Sequence, residues 1–115
     1  MEEESMNVYD TANRLAREIR ASEEYVKYKE AKQKLDSMQE LKQKVDEFEK
    51  MRYEVQVLAM QGKQVEEEKN KKLQEMYTIL IQNKEIKQYF DLEVKFNVML
   101  ADVNKIIAES VQDVL

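Results

Sequence analysis

The sequence predicts an all-α chain of about five helices, with a long coiled-coil-like hairpin, packed as a helical bundle and paired as a dimer. Three observations lead there. The 115 residues include no proline and one glycine, Gly62, so almost nothing interrupts a helix. Apolar residues recur every three or four positions along most of the chain. Seven acid–base pairs also put the acid four residues ahead of the base: Glu23–Lys27, Glu30–Lys34, Glu40–Lys44, Asp46–Lys50, Glu67–Lys71, Glu68–Lys72 and Asp91–Lys95. On a helix such partners face each other, each worth roughly 0.2–0.5 kcal/mol, so the charge has a structural use before any ligand is invoked.

The first helix is expected over 6–20, where Val8, Ala12, Leu15 and Ile19 form a stripe that Tyr9 and Ala16 widen. Ser22, followed by Glu23 and Glu24, reads as the N-cap of a second helix over 22–35 rather than as a nucleophile. Tyr25, Tyr28, Ala31 and Leu35 make its inner face. Ser37 stands three residues before Glu40 in the capping-box pattern, and the apolar register slips at the same place. A short break there starts a third helix over 38–61.

Along that helix Met38, Leu41, Val45, Phe48, Arg52, Val55 and Ala59 alternate spacings of three and four, with Met51 and Leu58 broadening the surface. This is a coiled-coil-like seam with one polar intruder. Met38, Leu41, Val45, Phe48, Arg52, Val55 and Leu58 are the expected interface residues. Arg52 must pair with an acid or reach solvent, and Arg52→Leu is expected to be neutral or stabilising unless the charge is paired. Gly62 ends the helix in a left-handed conformation. A fourth helix follows over 64–82, with Leu73, Met76, Tyr77 and Leu80 inward. Asn83 caps a fifth over 84–113, whose two adjoining apolar stripes mark it as the most buried helix. The whole chain, 1–115, is expected to form a single domain.

Composition excludes most chemistry. Without histidine or cysteine the commonest general base, thiol nucleophiles, disulfides and thiolate metal sites are absent, and one glycine cannot build a phosphate-binding loop. Glu66, Glu67 and Glu68 are consecutive and point around a helix rather than into one cage. No enzyme, cofactor, metal or small-molecule substrate is predicted. The net charge is −5, and Arg14, Arg17 and Arg20 form only a short basic strip, which argues against direct nucleic-acid binding. No apolar run approaches the ~20 residues a membrane span needs. The acidic start "MEEESMNVYD" lacks a secretion-signal layout, so the cytoplasm is expected. Most of the seven methionines and six tyrosines are expected to fill a thin helical core, although both types also suit interfaces; the stripes on 38–61 and 84–113, too broad for one slender chain to bury, point to homodimerisation.

The segments "YDTANRLAREIRASEEYVKYKEAKQKLD" and "NKEIKQYFDLEVKFNVMLADVNKIIAESV", flanking a heptad-like helix ending near "QGK", resemble the YlbF/YmcA/YheA family of small bacterial helical proteins. The resemblance runs from Val8 to Val111 and rests on helical patterns, not catalytic signatures. It implies a dimeric, cytosolic, non-catalytic regulator. YlbF-type and YmcA-type members join a third protein in a complex that affects competence, sporulation and biofilm formation and acts with the endoribonuclease RNase Y in mRNA maturation and turnover. Some members contribute cysteines to iron–sulfur clusters; this cysteine-free sequence supplies no such ligand, so by the resemblance it is either a member of the YheA-like branch or a stand-alone paralogue. Two functions follow: an adaptor holding one or two defined partners, or a chaperone-like hairpin holding clients on the apolar face of 38–61.

Overall fold

The computed structural model describes residues 7–115, which form five helices and no strand. They are α1 (Val8–Ala21), α2 (Glu23–Asp36), α3 (Gln39–Met60), α4 (Glu67–Leu80) and α5 (Lys84–Ser110). Met6, where the first helix was expected to begin, lies outside the described residues. Backbone packing divides the chain into two compact units, one of Ala31–Asp91 and one of residues 7–30 with Leu92–Leu115. α2 and α5 contribute residues to both.

Local chemistry sets each helix end. The Asn7 side chain accepts from the Asp10 N–H at 3.0 Å and starts α1, a cap the periodicity alone did not show. Ser22 serves two helices. Its hydroxyl donates to the Ile19 carbonyl at 2.6 Å, closing α1, and accepts from the Tyr25 N–H at 3.2 Å, opening α2. Asn83 Oδ1 accepts from the Ile86 N–H at 3.0 Å and opens α5.

Ser37 does not act as the capping-box residue. Its hydroxyl donates back to the Lys34 carbonyl at 2.6 Å, while α3 starts after Met38 with no side-chain cap. The N-cap position falls on Met38, one residue past Ser37, so the hydroxyl is left to the last turn of α2. The chain does break here, with Met38 at φ −110°, ψ 84°. α4 begins at Glu67 rather than 64, with Glu67 and Glu68 in its first turn, where the helix dipole favours them. α5 stops at Ser110, whose hydroxyl turns back to the Ile107 carbonyl at 2.6 Å, instead of continuing to 113.

Gly62 has φ +73° and closes α3. The Gly62 N–H donates to the Ala59 carbonyl at 3.1 Å and the Lys63 N–H to the Leu58 carbonyl at 3.0 Å, the paired bonds of a Schellman cap. An added Cβ would meet nothing within 4 Å, so the demand on glycine comes from the backbone alone. Gly62→Ala is therefore expected to cost about 1 kcal/mol and Gly62→Asn less, read as thermal midpoints by circular dichroism. Equal midpoints for all three proteins would contradict the left-handed cap.

All the fully buried side chains among the described residues belong to the Ala31–Asp91 unit: Leu35, Val45, Phe48, Leu80, Ile86, Tyr89 and Phe90. Its centre is aromatic. The Phe48 ring lies 5.5 Å from Phe90 and 5.9 Å from Tyr77, and Tyr77 is 5.5 Å from Phe90, offset and tilted geometries that aromatic pairs favour. α3 and α4 pack together as the hairpin within this unit.

The other unit is thinner. Phe96 of α5 stacks on Tyr28 at 5.5 Å and meets Tyr25 at 6.0 Å, and the Tyr28 hydroxyl donates to Glu93 at 3.5 Å. No described residue of this unit is fully buried. The fifth helix, expected to be the most buried, carries Ile86, Tyr89 and Phe90 in the core, more buried residues than any other helix described, but beyond Asp91 it is open, with Ile106 67% exposed.

Candidate interaction surfaces

The expected seam on α3 divides into core and margin. Val45 and Phe48, at 1% and 3% exposure, are internal and unavailable to a partner. Met38, Leu41, Arg52, Val55 and Leu58 are half-buried. A pattern of alternating threes and fours does not distinguish a stripe that meets the neighbouring helix of its own chain from one that meets another molecule.

Arg52 is paired. Its guanidinium lies 3.5 Å from Glu49 Oε2 and 5.5 Å from the Phe48 ring, and the Tyr89 hydroxyl donates to the same Glu49 oxygen at 3.2 Å. Glu49 therefore ties the margin of the aromatic core to the only polar member of the seam. The ion pair is about one-third exposed, so its contribution is at most about 1 kcal/mol after solvent screening. The cation–π contact adds a similar amount. With the partner in place, Arg52→Leu should lower the thermal midpoint by the equivalent of about 1 kcal/mol, because Glu49 keeps only part of its pairing. A raised midpoint would show that the pair contributes nothing.

A second stripe on α3 lies on the side away from the seam and was not singled out by the heptad pattern. Tyr53, Val57 and Met60 recur at four and three residues, the spacing that would have revealed it. Tyr53 is 66% exposed and Met60 86%. Beside them a shallow groove of about 340 Å³, almost wholly apolar, is lined by Tyr53, Glu54, Val57, Leu58 and Lys69. It sits where the end of α3 meets the start of α4.

In the second unit α1 turns a polar face outward. A shallow surface of about 530 Å³ is lined by Asp10, Asn13, Arg14, Ala16, Arg17 and Arg20. The basic strip is interrupted: Arg14 is 3.5 Å from Glu18, and the Arg20 guanidinium lies 5.7 Å from the Tyr25 ring. Glu23 and Lys27 meet at 2.7 Å and, with Glu24, Leu92 and Lys95, line a cleft of about 240 Å³. The hydrogen bond to Lys27 holds the Glu23 carboxyl below its usual value of 4.5, and the same bond holds Lys27 above 10.5. The signs set a window. The pair's stabilisation is present above the ordinary carboxylate pKa and is lost as pH falls through the lowered Glu23 value; it is also lost as pH rises through the raised Lys27 value. Glu23→Gln should therefore narrow the difference in thermal midpoint between pH 7 and strongly acidic buffer, and an unchanged difference would remove this pair from the account. Other closed pairs run with the base first, Lys42–Asp46 at 3.3 Å and Lys87–Asp91 at 3.0 Å, so Asp46 and Asp91 engage the preceding turn rather than Lys50 and Lys95.

The comparison with known proteins places this all-α chain. Residues 8–112 match the family described as control of competence regulator ComK, YlbF/YmcA, and the chain belongs to that family. It is 35% identical over 104 residues to a UPF0342 protein of Symbiobacterium thermophilum, covering 90% of this chain and 93% of that one. Similar UPF0342 proteins come from Caldicellulosiruptor saccharolyticus, 38% identical with 91% and 88% covered, and Halothermothrix orenii, 34% identical with 89% and 86% covered. No helix among the described residues is long and apolar enough to cross a membrane.

Proposed function

We propose that this chain is a non-catalytic helical adaptor, a single-domain cytoplasmic homodimer that regulates by binding other proteins. The observation that carries this reading is the outer stripe of α3, where Tyr53 and Val57 line an apolar groove that the hairpin leaves open and Met60 is exposed three residues further on. Aromatic and methionine side chains of this kind suit an apolar partner segment laid into a groove. Membership of a family described by control of a competence regulator supports a regulatory role. By the resemblance to YlbF-type and YmcA-type members, the partner belongs to RNA-processing and turnover machinery, with competence, sporulation or biofilm formation downstream.

The client-holding alternative needs an exposed apolar face of α3; Val45 and Phe48 at the centre of the seam are internal, so that role too would fall to the Tyr53–Val57–Met60 stripe. A direct test separates the two. Added in equimolar amount to a chemically denatured test protein, an adaptor leaves aggregation unchanged, whereas a holder suppresses it. Suppression that Tyr53→Ser abolishes would overturn the adaptor reading.

A further inference from the structure

We infer that Lys69 keeps the groove beside α3 open and selects its occupant, a partner segment that brings an apolar side chain with a carboxylate beside it. This rests on the adaptor reading and names the chemistry of the partner. The inner side of α4 is marked by Leu73, Met76 and Leu80, and one turn earlier the same side reaches Lys69. Burial follows the spacing. Lys69 is half-buried, whereas the other charged residues of the helix, Glu67, Glu68, Lys71, Lys72 and Glu75, are exposed. A lysine therefore stands where the hairpin pattern calls for an apolar residue, and it lines the groove with Tyr53, Val57 and Leu58.

The position is unfavourable for the free chain. A lysine covers apolar surface with its stem but keeps its head in water, so it does not fill the space between two helices as leucine would. Lys69 also falls in the first turn of α4, where the helix dipole favours acids. Among the described residues no ion pair includes it. Residues that break local rules with nothing inside the chain to offset them concentrate at functional sites. Charge then decides the occupant. Glu54, the other charged residue of the groove, is exposed and screened by water, whereas Lys69 lies against apolar side chains, where a charge contact is stronger. A purely apolar segment would cover the ammonium and leave it unpaired; a carboxylate beside the apolar anchor pairs it.

Two fluorescent probes with the same ring system test this on the full chain, with circular dichroism on the same samples. One is 8-anilinonaphthalene-1-sulfonate, an apolar anion whose sulfonate stands for the carboxylate. The other is its uncharged parent, N-phenyl-1-naphthylamine. Lys69→Gln should weaken the anionic probe about fivefold and leave the uncharged one unchanged. Tyr53→Ser should weaken both. Lys69→Leu should raise the thermal midpoint and weaken both, because leucine closes the groove. Probes that respond to Tyr53→Ser but ignore Lys69→Gln would overturn this inference and leave the groove of the adaptor reading standing. If neither probe binds, or Tyr53→Ser changes neither, the groove is no binding surface and both readings fall. A midpoint lowered by Lys69→Leu would make the lysine part of the hairpin's own packing and overturn its role in keeping the groove open.

Discussion

Phe48→Ala should cost about 3–5 kcal/mol and lower the thermal midpoint by roughly 10–20 °C. Phe48 is 3% exposed and is the ring on which the aromatic centre converges, in contact range of both Phe90 and Tyr77. Its removal leaves a cavity that α3, α4 and the start of α5 would have to collapse around. Because the same residue lies at the centre of the seam expected to face a partner, the result also decides its role. A loss of stability in dilute, single-chain conditions marks a core residue; a protein of unchanged midpoint that fails only in association would mark an interface residue.

The second large effect concerns where stability resides along α5. Ile86→Ala should cost about 2–5 kcal/mol, since Ile86 is 1% exposed among the buried residues of the hairpin unit. Val98→Ala, three turns later on the same helix, should change the midpoint by less than about 0.5 kcal/mol, because Val98 is 54% exposed. Denaturant melts of the two variants measure this contrast directly. Equal losses would mean that the C-terminal half of α5 is covered as tightly as its start, against the burial pattern described above.

Much of this architecture is legible in sequence because it is local. The caps at Ser22 and Asn83 and the turn at Gly62 depend on residues within three or four positions, and the absence of proline leaves long helices as the default. Ser37 shows the limit of that logic. An S-x-x-E pattern cannot say whether the hydroxyl serves the helix ahead or the carbonyls of the helix behind, and here it serves Lys34. The α3 seam shows a second limit. Periodicity reveals that a face needs cover but not what supplies it, so Val45 and Phe48 read the same whether they meet their own chain or another. Glu49 was hidden for a different reason: its partner Tyr89 lies forty residues away, and only the folded hairpin unit brings the two together. Likewise the Tyr53–Val57–Met60 stripe is short, and the longer heptad on the other side of the same helix masks it.

The most direct test of the adaptor reading is recovery of tagged protein from its native host, with and without nuclease, compared quantitatively with a Tyr53→Ser, Val57→Ser variant. The account predicts one or two defined protein partners that survive nuclease and are lost with the variant. A diffuse set of unfolded proteins, or partners that disappear with nuclease and ignore the variant, would contradict it.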